Sequence, residues 1–199
     1  MPIFLHGHLE HLAGNLVGQL FMGSGIEWGI GFGWMAFLYM LSGIGGNVLS
    51  SVLNPAAFGV GASTSVFGLV GFYVSYLFTN WRHMQRWNYG QIIFLVIYCS
   101  VLILVNLNVG PKRDEKVDNW GHLGGLITGI LCGFAIEEAK DAIDKHKGKT
   151  PQRFTEEEYK NRPSCCNTFF CNFLCWWFLA AWFITLFVLF YTVVDVDVE

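Results

Sequence analysis

Charged side chains are scarce in this chain of 199 residues. Lysine and arginine number 12 and aspartate and glutamate 15, so charged residues make up 14% of the composition against 53% hydrophobic residues. Such a balance cannot keep the surface of a water-soluble protein polar, and it places the chain among polytopic membrane proteins. The few basic residues form no stripe, which excludes nucleic acid as an expected partner.

Patterns for metal, carboxylate and disulfide chemistry are also missing. The early segment HGHLEH lacks the HExxH spacing that puts two metal ligands and a base on one helix, so we expect no metal and no organic cofactor. No aspartate lies inside an apolar stretch, so a site built from paired aspartates within the membrane is not expected. The six cysteines fall within apolar stretches or at the start of the last one, which disfavours a disulfide framework.

Six apolar stretches approach the roughly 20 residues that cross a hydrocarbon core. They lie at residues 9–23, 30–51, 62–79, 91–108, 120–136 and 168–194. We therefore predict an all-α fold, a polytopic membrane helix bundle of about six transmembrane helices. Its predicted parts are a core at 1–136, a cytoplasmic linker with a short helix at its start at 137–167, and a last helix with an acidic tail at 168–199.

The distribution of lysine and arginine predicts the orientation of the bundle. Nine of the twelve basic residues fall on the membrane face that carries the linker, and three, Lys112, Arg113 and Lys116, fall on the other. Because cytoplasmic loops carry the excess of basic residues, the linker face is predicted to be cytoplasmic. Ser63 and His122 then both begin helices from the extracellular or lumenal face.

Ser63 and His122 are polar residues at the start of apolar, glycine-rich helices. A hydroxyl and an imidazole are costly inside a bilayer, so polar groups at one depth are candidates for function. A serine nucleophile needs a base within about 2.6 to 3.2 Å, and we predict that these two residues form that pair. Taken alone, a serine in a membrane helix more often bonds back to its own helix, and only the combination favours chemistry.

A stripe of glycines suggests how the two helices approach each other. Glycine recurs every fourth residue along the fifth stretch, at Gly121, Gly125, Gly129 and Gly133. Small residues at this spacing let the backbones of two membrane helices come close together. On the third stretch Phe67 follows Ser63 by one turn and shares its face, so we predict that Phe67 packs against the ring of His122.

The first stretch supplies candidate donors for the oxyanion of an acyl-transfer intermediate. His11 and Asn15 are four residues apart and project from one face of a helix. We expect both side chains to donate, together with the backbone N–H of Ser63. The alternative is that His6, His8 and His11, with Glu10, are solvated anchors at the membrane interface or a metal site. Asp118 lies in the loop KRDEKVD and is expected to be solvated, so a dyad is predicted in place of a three-membered site.

These motifs resemble those of the rhomboid intramembrane serine proteases. HGHLEHLAGN is similar to the family's H-x4-H-x3-N motif, GASTSVFGL to its nucleophile motif and GHLGGLITG to its histidine motif, and the resemblance covers roughly residues 3–136. It implies that Ser63 is the nucleophile and that His122 is the general base and then acid. It also implies that His11 and Asn15 line the oxyanion hole and that His6 is a nearby structural or water-organising residue.

The resemblance further implies the partners and the location of the protein. Substrates would be single-pass transmembrane proteins, cut in the plasma membrane or an endomembrane with the site toward the extracellular or lumenal side. The last helix would be the additional C-terminal helix of the secretase-like branch. The family's first helix and long first loop have no counterpart in this chain, which begins at the point where the family's second helix would start. We therefore expect either a piece of a longer protein or a protein that works without them, and oligomeric state is left open.

Two other function classes were weighed against proteolysis. A rhomboid-like protein without activity would bind client membrane helices for trafficking or quality control, but such relatives usually lack the serine or the histidine, and both are present here. A transporter or channel would show inverted repeats or a charged site at mid-membrane, and the sequence shows neither. The expected function is intramembrane proteolysis, with the inactive client-binding protein as its alternative.

Overall fold

The computed structural model describes residues 9–55, 62–80, 118–148 and 168–193, and a few single positions between 90 and 100. Nearly all of these residues are helical, and none of them lies in a strand. The elements are α1 (Leu9–Gly18), a π-helical turn (Gln19–Gly23), α2 (Ser24–Ile30), α3 (Phe32–Leu53), α4 (Ser63–Asn80), α5 (Asn119–His146) and α6 (Thr168–Val193). The predicted all-α class is confirmed, and His6 lies outside the described residues.

Three helices of the described part are long and apolar enough to cross a membrane. They are Phe32–Leu53, Asn119–Asp144 and Cys171–Val193. The predicted second, third and last stretches agree with α3, α4 and α6 to within about two residues, because each apolar run ends where the helix does. The protein is therefore a polytopic membrane helix bundle. Most of the predicted stretch 91–108 lies outside the described residues, and the total of about six spans stays a prediction.

The first predicted stretch, 9–23, is too short. Gly18 and Gly23 both have helical dihedral angles, so the helix runs from α1 through the π-helical turn and into α2. It ends only at Gly31, whose φ of 88° turns the chain into α3. A π-helical turn leaves a main-chain carbonyl without its usual partner. Here the Tyr73 hydroxyl of α4 donates to the carbonyl of Met22 over 3.3 Å, which ties this first helical segment to α4.

Helix α5 is longer than its apolar run. The fifth apolar stretch ends at residue 136, and the sequence predicts a short helix at the start of the segment that follows. In the structure α5 continues without a break to His146, so the helical start of that segment is the end of α5. Its polar extension packs against other helices. Glu137 is buried and accepts from Asn80 Nδ2 at 3.5 Å, and Lys140 donates to the carbonyl of Gly29 at 2.7 Å. Because partners on neighbouring helices offset the cost of these polar groups, hydropathy underestimates the length of the helix.

Helices α4 and α5 touch backbone to backbone along the predicted glycine stripe. A methyl group added to Gly125 would overlap the carbonyl oxygen of Thr64, and one added to Gly129 would overlap that of Gly68. One turn further along, a methyl group on Gly133 would overlap the hydroxyl of Ser75. The predicted close approach of these two helices is therefore confirmed.

Asp118 determines where α5 begins. Its Oδ1 atom accepts hydrogen bonds from the N–H of Gly121 at 2.9 Å and from the Ser50 hydroxyl of α3 at 2.7 Å. The expectation that Asp118 is a solvated loop residue is wrong, because the carboxylate takes the N-cap position and satisfies a main-chain donor that has no partner inside the helix. The cap also joins the start of α5 to the end of α3.

Replacing Gly129 by alanine is expected to destabilise the bundle. The new methyl group meets the Gly68 backbone, which cannot move aside as a flexible side chain can, and overpacking of this kind costs about 1 to 3 kcal/mol. Thermal unfolding in detergent, followed by circular dichroism, measures the effect. The matched control is Gly33→Ala, since no atom lies within 4 Å of a methyl group there. Equal unfolding midpoints for the two variants would contradict the backbone contact.

Removing the cap at Asp118 is expected to cost stability as well. Asp118→Ala leaves the N–H of Gly121 without its acceptor, and loss of an N-cap typically costs about 0.5 to 2 kcal/mol. Asp118→Asn keeps a good N-cap side chain and should retain most of that stability. The unfolding midpoints of both variants in detergent check this. A loss as large for asparagine as for alanine would show that the negative charge, and not the cap, is what matters.

Candidate active site

Ser63 and His122 meet at one end of the bundle. Ser63 is the first residue of α4 and His122 lies in the first turn of α5. The Oγ atom of Ser63 and the Nε2 atom of His122 are 3.0 Å apart, although the residues are 59 positions apart in the chain. In the tautomer that carries its proton on Nδ1, Nε2 accepts the hydrogen bond of the hydroxyl. This is the geometry in which an imidazole can remove the proton from a nucleophile.

Phe67 stacks on the imidazole of His122. The two rings are stacked, with their centroids 4.2 Å apart and their planes 13° from parallel. Phe67 lies one turn after Ser63 on α4, so the same helix presents the hydroxyl to one atom of the ring and an aromatic surface to its face. The stacking restricts rotation of the imidazole about its side-chain bonds and keeps Nε2 directed at Ser63.

The distance between the two side chains is set by the main chains beneath them. Thr64, next to Ser63, contacts α5 at Gly125, three residues after His122. Helix α3 joins the same contact, because a methyl group on Gly46 would lie 2.9 Å from the Thr64 Cβ atom and 3.1 Å from the Gly125 nitrogen. Backbone contacts of this kind leave little freedom of translation. The serine and the histidine are therefore held by three helices and not by their own rotamers alone.

Asp118 contacts the main chain that carries the imidazole of His122. Its Oδ1 atom is bonded to Gly121 and Ser50, and its carbonyl accepts the N–H of His122 at 3.0 Å. The residue therefore fixes the turn of α5 on which the histidine stands. Aspartate immediately before an apolar helix is a recognised signal for a helix start, and that signal identifies this role from the sequence.

The predicted oxyanion donors lie on α1, which packs against α4. His11 is partly buried and Asn15 is buried, with 6% of its surface exposed. The Nδ2 atom of Asn15 has no hydrogen-bond partner within the described part of the chain. A buried amide donor without a partner costs about 1 to 3 kcal/mol. The roles of His11, Asn15 and His6 stay predictions.

The described residues contain no group of three or more His, Cys, Asp or Glu side chains that could hold a metal ion. The described groups that meet at this end of the bundle are the hydroxyl of Ser63 and the imidazole of His122. A hydroxyl activated by an imidazole is suited to acyl transfer, in which the serine is transiently acylated.

Comparison with known proteins identifies the family of this chain. The model of the rhomboid domain matches residues 1–138. RHOMBOID-like protein 1 of Arabidopsis thaliana is 39% identical over 134 residues, which is 67% of this chain and 33% of that protein. Rhomboid-like protease 1 of Toxoplasma gondii is 37% identical over 140 residues, which is 68% of this chain and 44% of that protein. The chain spans less than half the length of either relative, and it belongs to the rhomboid family.

Proposed function

We propose that this protein is an intramembrane serine endopeptidase that cuts the transmembrane segments of single-pass membrane proteins. The observation that supports the proposal most strongly is the 3.0 Å separation of Ser63 Oγ and His122 Nε2 at the starts of two closely packed helices. The family supports it further, since one relative is named as a protease. Ser63 and His122 both lie in the part of the chain that matches the rhomboid domain.

The reaction begins with attack of Ser63 Oγ on a peptide carbonyl carbon of the substrate. His122 Nε2 takes the hydroxyl proton as the carbon–oxygen bond forms, and the carbonyl oxygen becomes an oxyanion. His122 then gives the proton to the departing amide nitrogen, and the peptide bond breaks to leave an ester on Ser63. In the second half His122 takes a proton from water, which attacks the ester, and returns that proton to the serine oxygen.

The oxyanion needs hydrogen-bond donors that are in place before charge develops. We assign this role to Asn15 Nδ2 and to the side chain of His11, together with the N–H of Ser63. The buried and unpartnered state of the Asn15 amide supports the assignment. A donor of this type contributes about 100- to 1000-fold to the rate in other serine enzymes.

The location of the site constrains the substrate. In a transmembrane helix each carbonyl is already bonded within the helix, so a carbonyl can reach Ser63 only if that stretch of the substrate unwinds. Ser63 lies at the start of α4 and not at its middle, and unwinding near a membrane surface is easier because water is close. From the distribution of lysine and arginine we propose that this surface is extracellular or lumenal, in the plasma membrane or an endomembrane.

Ser63→Ala and His122→Ala are each expected to lower cleavage of a labelled single-pass substrate in detergent by at least about a thousandfold, because each removes a group that the chemical step requires. Ser24→Ala is the matched control, since Ser24 is an exposed serine of α2 that bonds back to the carbonyl of Phe21. Cleavage by both site variants at the rate of the Ser24 variant would reject the protease proposal and favour an inactive protein that binds client helices.

Phe67→Ala is expected to lower kcat about tenfold or more with little change in KM, because an imidazole that is free to rotate spends less time directed at Ser63. Phe67→Tyr keeps the stacked ring and should keep most of the activity. Phe78→Ala is the control on the same helix, since Phe78 is 78% exposed and lies far from the start of α4. Steady-state kinetics of the three variants decide the matter. An unchanged kcat for Phe67→Ala would show that the stacking does not orient the base.

A further inference from the structure

Helix α6 contacts the bundle along one narrow stripe. About half of the side chains described for residues 171–193 are exposed, whereas Leu179 and Leu186, seven residues apart, are buried against the other helices. The stripe packs on α3 and α5. Near its start, Trp176 lies within 6.3 Å of Trp34 and 6.1 Å of Phe37, measured between ring centroids. These ring and leucine contacts are apolar. In lipid, apolar contacts distinguish only weakly between two registers in which a helix could pack against its neighbours.

One polar contact gives the docking a definite register. The indole Nε1 of Trp182 donates to Thr128 Oγ1 of α5 at 2.9 Å. The same hydroxyl donates to the carbonyl of Gly124 at 2.7 Å, so indole, hydroxyl and carbonyl form a continuous chain of two hydrogen bonds. Each bond in such a chain polarises the next and strengthens it in a medium of low dielectric. Thr128 is fully buried, so water from the solvent does not reach its hydroxyl to take the place of the indole.

Three helices meet at the Thr128 hydroxyl. Helix α3 contacts it through Gly45, where a methyl group would overlap the hydroxyl oxygen. Helix α3 also reaches α5 one turn earlier, since a methyl group on Gly124 would lie 2.9 Å from the Gly45 oxygen. A shift or rotation of α5 would therefore break the bond to Trp182 or drive Thr128 into the α3 backbone. The junction restrains both movements of the helix.

The restrained helix is the one that carries His122. Thr128 lies six residues after the histidine, about 9 Å along the helix axis, and Gly124 lies two residues after it. An error of about 1 Å in the position of a catalytic group can lower a rate by about a hundredfold. Contacts that hold α5 at Thr128 and Gly124 therefore bear directly on the distance between Nε2 and Ser63.

We infer that α6 is a positioning element of the active site, and that the hydrogen bond from Trp182 to Thr128 holds α5 in the register that directs His122 at Ser63. The inference rests on the proposed protease function for its effect on catalysis. Trp182 and Thr128 are positioning residues, since neither touches the reacting atoms. The last helix is then part of the catalytic unit and not only a membrane anchor.

The kinetic test compares two tryptophans of α6. Trp182→Phe removes the indole donor, and Trp177→Phe makes the same change at a position that is 54% exposed. Substrate cleavage is measured in detergent. The measured kcat is divided by the fraction of protein in which a fluorophosphonate labels Ser63 after complete reaction, so that unfolded protein does not lower the value. For Trp182→Phe we expect kcat to fall about tenfold with KM unchanged, which is within the rate loss that a misplaced catalytic group causes. For Trp177→Phe we expect kcat to stay constant.

Variants of Thr128 separate the hydrogen bond from mere packing. Thr128→Val keeps the shape and removes the hydroxyl, and it should lower kcat as much as Trp182→Phe. Thr128→Ser keeps the hydroxyl and should restore kcat to within about twofold of the parent protein, because the acceptor of the indole is retained. The double variant Trp182→Phe/Thr128→Val should be no slower than either single one. Additive losses, or failure of serine to restore kcat, would overturn the inference.

Amide hydrogen exchange tests the positioning without any need for activity. The peptide that covers residues 119–128 should exchange faster in Trp182→Phe than in Trp177→Phe, because α5 loses a restraint only in the first. Equal exchange and equal kcat in the two variants would overturn the inference while leaving the protease proposal intact. If the parent protein shows no Ser63-dependent labelling or cleavage, the protease proposal fails, and the exchange comparison alone decides whether Trp182 holds α5.

Discussion

The contact between the backbones of α4 and α5 is the constraint on which the site depends. Ser63 and His122 belong to different helices, and short side chains meet only when their main chains are close. The glycines from Gly125 to Gly133 make that possible, since any larger side chain there would overlap α4. In lipid, where burial of apolar surface does not drive helices together, this close fit also supplies dispersion energy and the complementary shape that holds the bundle.

Several polar residues of the described bundle form hydrogen bonds of two kinds. Ser75 and Thr79 bond back to carbonyls of their own helix, the usual behaviour of such residues in membranes. Asp118 and Thr128 instead connect helices, one by capping α5 and bonding α3, the other by receiving the indole of α6. Ser63 is different from both groups, because its hydroxyl contacts an imidazole.

The surroundings of His122 differ from those of the histidine in a three-membered serine site. In the three-membered arrangement an aspartate selects the tautomer and orients the imidazole. Here Phe67 stacks on the imidazole, and Asp118 caps the helix turn that carries the histidine. A buried carboxylate on the ring would carry a large desolvation cost in a bilayer, and an aromatic ring carries none.

Local periodicity was sufficient to place Ser63 and Phe67 on one face and to identify the glycine stripe. It also located the spans of α3, α4 and α6. These features depend only on the spacing and the apolarity of residues along the chain. Tertiary contacts decided the rest. The polar end of α5 is helical because Asn80 and Gly29 provide partners, Asp118 is a cap because Ser50 lies beside it, and Trp182 is held by Thr128. Whether a polar residue ends a helix, caps it or joins two helices depends on which group lies opposite, and that group is distant in the chain.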